Sequence, residues 1–419
     1  MISRDPLRFH PVRSWVVVLC LSGAATAQEH HHAAPDQDPV ASDVKWKWTT
    51  DANAFFGYNY QQRRYADFAA WESQNWVMFD GTRRVGRGRL AIDGMFSLEP
   101  WTLGRLVYSG SLRLPPTGGS PQLYQTGESF RQVPLVNFQH PHDLVMGLGA
   151  TYRIDFNRIS YFVGADLVGA PALGPTPFMH RESARSNPQA PLTHHYLDST
   201  HITPGVIRAG IVTGALTFEG SVFRGEEPDD NRFDIEKPAF DSWSARVGWQ
   251  HGSWMAQFSG GHLHEPEWFE PFDVTRLTAS LGYTGEVGSR PLSATVAWGE
   301  NREFNGFQNV EDGFLFEWDL RATGASTIYG RTEVAKKHLF GLISHPKGFT
   351  HPHAYSTVGA VTLGYIRDLP FPGTTRLGIG GDATLYRTSL DLVEYYGGSH
   401  SYHVFLRWRP GVSSVAHVH

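Results

Sequence analysis

Histidine and carboxylate recur together along this 419-residue chain. His140-Pro141-His142-Asp143 is the first group, and Met179-His180 followed by His194, His195, Asp198 and His201 is the second. Later come the acidic run Glu226, Glu227, Asp229 and Asp230, then His262, His264 and Glu265, and finally His345, His351 and His353. Neutral imidazole with carboxylate is a ligand set for Zn, Cu(II) or Ni, and a neighbouring thioether adds a preference for Cu(I). If residues 194–201 form a helical turn, His194, Asp198 and His201 share one face at i, i+4 and i+7. In an extended segment His140 and His142 share a side. The metal candidates are therefore His140, His142, Asp143, His180, His194, His195, Asp198 and His201, with Cu or Zn as the ion. No cofactor is demanded by these residues. The plainer alternative is that they cap strands and pin loops by hydrogen bonds, since no spacing matches a zinc-finger or HExxH signature.

Nucleophilic catalysis is a weaker reading. Ser199, Asp198 and His201 are the nearest thing to a hydrolytic set. A nucleophile needs a base oriented by a third group, which near neighbours in one loop rarely supply. There is no GxSxG turn. The expectation is no enzyme, with an outer-membrane hydrolase as the remote alternative.

The elements that must position these residues read as strands. Trp243, Ala245, Val247 and Trp249 alternate with Ser244, Arg246, Gly248 and Gln250, and after a short turn Trp254, Ala256 and Phe258 alternate with Met255, Gln257 and Ser259. Period-two alternation makes one apolar and one polar face. Here Trp brackets the apolar face and the polar face is mostly small, as in a strand with lipid on one side and a lumen on the other. The pattern recurs from Ala52 to Arg409 in about 16 segments, with 14 to 18 allowed by boundary error. Tight turns are expected at Asp155, Gly214, Gly252, Gly285 and Gly324, and long connections at Gly169–Pro204, Gly225–Phe240, His264–Val274, Glu300–Asp312, Lys337–Ala354 and Thr388–His400. Leu103–Leu112 is a doubtful extra strand. The fold class is all-β: a transmembrane antiparallel up-and-down barrel with short periplasmic turns and long outer loops.

Composition agrees. Gly (44) and aromatics (13%) are abundant, the formal charge is −5, and mean hydropathy is −0.32. Arg4, Arg8 and Arg13, the apolar run Trp15–Leu21 and Ala25-Thr26-Ala27 read as a signal peptide over residues 1–27. Removing this leader, whose three Arg oppose Asp5, takes the charge to −7, which argues against nucleic acid as a partner. The only cysteine, Cys20, leaves with it, so thiolate ligands are excluded. Residues 28–51 read as a flexible tail containing His30, His31 and His32, residues 52–409 as barrel, and 410–419 as a C-terminal tail.

Parity places Arg153, Asp166, Arg208, Glu219, Arg246, Arg276, Glu317, Asp319 and Arg321 on the lumen face, and such mixed charge implies a hydrated interior. Met146 falls on the lipid face and is set aside as a ligand. The proline-rich connection Gly169–Pro204 is expected to fold into the barrel mouth as a constriction. The last strand, with Tyr402, Val404, Leu406 and Trp408 on one face, resembles the signal read by the barrel-assembly machinery, though a tail follows it.

The runs NFQHPHDLVMGLGATY, GAPALGPTPFMHRESARSNPQAPLTHHYLDSTHITPGVIRAG and GSVFRGEEPDDNRFD resemble a family of Gram-negative outer-membrane proteins without an established activity. The likeness covers roughly Gln125 to Tyr283. Genes of that family often lie beside copper or other heavy-metal resistance systems. The resemblance thus implies a barrel and a link to metal handling. The expected function is a porin-like, loop-constricted passage in the outer membrane, and the alternative is a structural or metal-binding surface barrel without transport. Expected partners are outer-membrane lipid and lipopolysaccharide, the assembly machinery, and small solutes or metal ions.

Overall fold

The computed structural model describes residues 45–62, 68–103, 129–130, 133–134, 142–229, 231–266, 272–304, 308–338, 355–371, 375–388 and 400–410. The expected signal peptide and most of the expected N-terminal tail, His140, Asp230, most of Leu103–Leu112, His345, His351, His353 and the residues beyond Pro410 lie outside the described residues.

The strands are β1 Lys47–Gln61, β2 Phe68–Glu72, β3 Asn75–Val85, β4 Gly88–Phe96, β5 Ser129–Phe130, β6 Val133–Pro134, β7 Val145–Phe156, β8 Ile159–Gly169, β9 Thr203–Thr213 and β10 Leu216–Phe223. They continue as β11 Ser242–His251, β12 Trp254–Leu263, β13 Val274–Val287, β14 Arg290–Phe304, β15 Gln308–Thr323, β16 Ser326–His338, β17 Tyr355–Leu369, β18 Arg376–Arg387 and β19 His400–Arg409. Among the described residues, two single-turn α-helices interrupt them, α1 Glu99–Thr102 and α2 His194–Leu197. All strands except the β5–β6 hairpin form one antiparallel sheet. It closes where β1 meets β19, from Ala54 opposite Trp408 to Gln61 opposite Ser401. β2 and β3 pair with successive halves of β1, so they are one stave broken at residues 73–74 and the barrel has sixteen staves. Closure pairs every ladder group internally, which hydrocarbon demands and an open sheet edge cannot provide.

The faces follow the sequence parity. Phe56, Val163, Ile211, Phe218, Val247, Phe258, Val296, Phe316, Val361, Leu363, Val404 and Leu406 are exposed on the outer wall. In water such a continuous apolar surface would be anomalous; in a bilayer it is the lipid face. Aromatics mark both rims. Tyr60 stacks on Tyr402 at 4.8 Å and Phe56 on Trp71 at 5.7 Å near the long-loop end, while Trp254 meets Tyr283 at 4.9 Å near the short-turn end. The short turns use left-handed residues where the chain reverses, Asn157 at φ 57° and Gly288 at φ 65° among them.

Several expected boundaries move. The first stave begins at Lys47, not Ala52, because Lys47–Ala54 pair with β3 although Thr49, Thr50 and Asp51 blur the alternation. The turn expected at Gly285 lies at Gly288, since β13 runs on to Val287. The long connection expected over Glu300–Asp312 shrinks to residues 305–307, because β14 and β15 continue pairing as far as Phe304 opposite Gln308. Met146 is not lipid-facing. The register between β4 and β7 steps from Val145 to Gly147, so Met146 is the extra residue of a bulge and its side chain turns inward, fully buried.

Candidate functional site in the lumen

Residues 170–202 leave β8 and fold inside the ring of strands, where most of them are buried. Prolines at 171, 175, 177, 188 and 191 limit the backbone, and turns are supplied by a 3-10 segment at Phe178–His180, by α2, and by a second 3-10 segment at Ser199–His201. The expected constriction at the mouth is in fact a plug that runs the length of the bore. Ser186 accepts from Arg407 at 3.0 Å, two residues from the periplasmic end of β19, while Ser199 accepts from Arg276 at 3.0 Å near the outer end of β13.

The plug is tied to opposite walls. Around the sixteen staves β12 lies eight from β1, and Ser259 of β12 accepts from Gly174 N at 2.8 Å while Asn53 of β1 donates to Arg185 O at 3.2 Å. Arg246 of β11 donates to Gly174 O at 2.9 Å, opposite the Arg407 contact on β19. Arg181 reaches β15, its Nε 2.5 Å from Glu317 Oε1 and its Nη1 3.0 Å from Asp198 Oδ2. Glu317 also takes Arg331 Nε at 3.1 Å, and Arg331 Nη1 donates to Gln189 O at 2.7 Å. Glu333 accepts from Thr193, and Gln189 meets His403 Nε2 at 2.8 Å. On the side opposite β15, an apolar patch of Met146, Val168, Phe178, Met179, Ala184, Ala190 and Ile202 seats the plug. Glycines on the wall admit it: a Cβ at Gly299 would collide with the Tyr196 carbonyl, and one at Gly313 with Thr193.

The expected lumen charges are therefore mostly engaged rather than lining open water. Arg208 pairs with Asp166 at 3.1 Å, Glu219 with Arg246 at 2.8 Å, and Arg276 donates to Asn301 at 2.9 Å. Asp319 lies against Ser186 of the plug. Arg153 and Arg321 stay near the periplasmic turns, bound to Asp155 at 3.1 Å and to Gly324 O at 2.6 Å.

Among the metal candidates, the structure brings His142, His194, Asp198 and His201 together near the outer end. His194 Nδ1 is 2.7 Å from Asp198 Oδ1, His201 Nδ1 is 2.8 Å from Asp198 O, and the Nε2 atoms of His201 and His142 lie 3.4 Å apart. Phe178 packs against all three rings. Burial, against the pull of Asp198, pushes the His194 imidazole below its ordinary value. Burial and then the neighbouring His194 and His142 push His201 well below it. Burial alone would raise the Asp198 carboxyl, but Arg181 and then His194 outweigh it and hold it below the usual carboxylate range.

The other candidates go elsewhere. Asp143 pairs with Arg232 at 3.2 Å, and burial, eased by Arg232, pushes its carboxyl up to about 6. His180 sits 3.0 Å from the Met95 sulfur and against Trp76. The His195 ring lies edge-on to that of His194 at 5.6 Å, and its carbonyl accepts from Asn301. Ser199 is hydrogen-bonded to Arg276, while the His201 Nδ1 bond goes to the Asp198 carbonyl. Sequence reasoning missed Glu99, which binds His142, and Arg181, which lies between Asp198 and Glu317. Neither carries a local spacing signal; both act on residues 17 or more positions away.

Fold, aromatic rims and polar lumen define an outer-membrane β-barrel of porin-like build. No family model matches the chain, and no curated protein matches its sequence. Among solved structures, the barrel is similar to a loop-deletion mutant of OmpT, an outer membrane protein of Vibrio cholerae, with TM-score 0.49 and 11% identity over 87% of this chain and 99% of that one. It is similar to a porin refined at 1.8 Å with TM-score 0.44 and 13% identity over 87% and 100% of the two chains. OpdK of Pseudomonas aeruginosa, solved with vanillate, matches with TM-score 0.43 and 10% identity over 87% and 98%.

Proposed function

We propose that this barrel is a porin-like passage for small polar solutes, closed in this state by its own segment 170–202 and opened when that segment shifts. The observation that carries the reading is the nature of the plug's attachments. Across most of the lumen they are hydrogen bonds and ion pairs to side chains that water would solvate equally well, such as Arg407 to Ser186 and Thr295 to Ser183. A neutral bond of this kind contributes about 1 kcal/mol net and one to a charged group about 1.5–3 kcal/mol, because water replaces it on opening. A barrel that never opened would have no need of so polar a wall. The apolar seat at Met146 and Phe178 holds one edge, so the plug would swing rather than leave.

A link to transition metals is a second reading, suggested by the resemblance and favoured by the convergence of His142, His194 and His201. Lipid, lipopolysaccharide and the assembly machinery remain the expected partners of such a barrel. Planar-bilayer recording tests the passage. Deleting Arg181–Ala190 should raise single-channel conductance over wild type while heat-modifiable gel mobility shows an intact barrel. A folded deletion variant that conducts no better than wild type would leave a surface barrel without transport.

A further inference from the structure

Arg376 opens β18 and Arg409 closes β19, so both lie at the periplasmic end of the barrel. In the ladder they stand directly opposite each other, which puts both side chains on one face of the sheet. That face is the lumen: Ser401, His403, Phe405, Arg407 and Arg409 are buried in alternation along β19, while Trp408 between the two arginines is exposed on the outer wall. Like charges directly opposite are destabilising in an antiparallel pair. Arg321 and Arg407 add two more guanidinium groups. With Arg376 they share one carboxylate, Asp368, at 3.9 Å from Arg321, 3.1 Å from Arg407 and 3.9 Å from Arg376. The plug brings a fifth, Arg185, beside the bond from Arg407 to Ser186 and within electrostatic reach of Arg376, Arg407 and Arg409.

The acids at hand do not use up these donors. Asp51, Asp319, Asp368 and Glu182 set four negative charges against five positive ones. Asp51 stays 3.7 Å from Arg409, beyond hydrogen-bond reach, and Glu182 is taken by Arg185 at 2.6 Å. Among the described residues, neither Arg376 nor Arg409 donates a hydrogen bond to the protein, and the Nε atoms of Arg407 and Arg409 are buried without a partner. A buried donor left unmade is costly, and a guanidinium carries five of them in a fork that matches an oxyanion.

We propose that these arginines form a binding site for a small divalent oxyanion of the sulfate or phosphate type, entered from the periplasm at the foot of the plug. The Arg376 side chain is 47% exposed and reaches the water, while those of Arg407 and Arg409, at 4% and 9%, form the inner wall. An anion between Arg376 and Arg409 removes their repulsion and accepts charge-assisted hydrogen bonds from both. The lumen position fits a free anion rather than a lipid headgroup, because it is Trp408 that faces the bilayer. Nothing in the site requires the plug to move, so it stands apart from the proposed passage and is measured on the closed protein.

Refolded full-length protein in a neutral sugar detergent free of phospholipid is titrated by calorimetry with sodium sulfate and with sodium phosphate at low ionic strength. The expected result is saturable binding of one anion per chain. Arg376→Gln and Arg409→Gln should each weaken it about 10–100-fold, the loss that accompanies charge-assisted hydrogen bonds. Arg367→Gln, on the outward face of β17, should leave it unchanged. Heat-modifiable mobility confirms folding, and the half-exposed Arg376 carries the test alone if Arg409→Gln does not fold. No saturable binding, or binding as tight in the folded variants as in wild type, leaves only water on these donors and overturns the site. An equal loss in Arg367→Gln would reduce the effect to net charge and overturn it too. Micelles doped with phosphatidylglycerol should not displace sulfate; displacement would assign the arginines to a lipid headgroup and sink the free-anion site.

Discussion

Arg181 of the plug and Glu317 of β15 meet at 2.5 Å in the middle of the bore, and Asp198 lies on the other side of the same guanidinium at 3.0 Å. One cation thus joins a connecting segment to the barrel wall and to its own metal-candidate turn. Removing it leaves two buried carboxylates with reduced compensation, and breaking such a buried pair costs roughly 3–5 kcal/mol. Arg181→Met should therefore loosen the plug while the barrel survives. Single-channel recordings should show longer or larger openings than wild type. Unchanged conductance in a folded variant would mean that this pair does not hold the closed state.

Gly299 tests the fit of plug to wall more gently. A side chain there meets the Tyr196 carbonyl, and strand backbone cannot yield without disturbing the ladder. Gly299→Val should keep heat-modifiable mobility and expose segment 170–202 to limited proteolysis. Cleavage as slow as in wild type would place α2 elsewhere.

The Met146 bulge predicts a contrast between near neighbours. Met146 is fully buried against the plug, while Leu148 is exposed on the outer wall. Met146→Ala should cost about 2–5 kcal/mol of packing, and Leu148→Ala much less, measured by denaturant unfolding in matched micelles. Equal effects would put both side chains on the lipid face.

The bulge also shows why parts of this structure were legible from sequence and others not. Strand number and the two faces are written in period-two alternation, because lipid and lumen select side chains residue by residue. Strand ends past the bilayer lost that signal: β14 runs on beyond Glu300, where Asn301, Arg302 and Glu303 follow one another with no apolar residue between them. Met146 defeated parity because one inserted residue reverses it. The expected helical turn over 194–201 stops at Leu197, so only the contact of His194 with Asp198 follows the i, i+4 spacing and His201 arrives on a separate 3-10 turn, whereas Glu99, Arg181 and the depth of the plug depend on partners far away in the chain.

An outer loop offers a pH readout away from the lumen. His264 Nδ1 lies 2.8 Å from Asp273 Oδ1, and that hydrogen bond raises the His264 imidazole above its ordinary value. For Asp273, burial raises the carboxyl, but the bonds from His264 and the Glu265 N–H and the nearby His262 and His264 together outweigh it and lower it overall. The histidine contribution is complete below about 6.5 and fades as pH rises through the raised value; the aspartate contribution is complete above about 3.9 and fades as pH falls through the lowered one. The loop is therefore tied most firmly between about pH 4 and 6.5. In an NMR titration, Asp273→Asn should bring the His264 midpoint down toward 6.5, and an unmoved midpoint would remove the pair.

The central claim is that segment 170–202 fills the lumen and that its movement opens a passage. Ser183 Oγ and Thr295 Oγ1 are 2.7 Å apart, one on the plug and one on β14, and the sequence after Cys20 has no cysteine to interfere. Ser183→Cys with Thr295→Cys should form a disulfide in the folded barrel, detected as a shifted band without reductant. Recorded in one bilayer before and after reduction, the oxidised protein should stay closed and the reduced protein should regain the wild-type openings. A disulfide that fails to form in the folded protein, or an oxidised channel that conducts like the reduced one, would contradict the account.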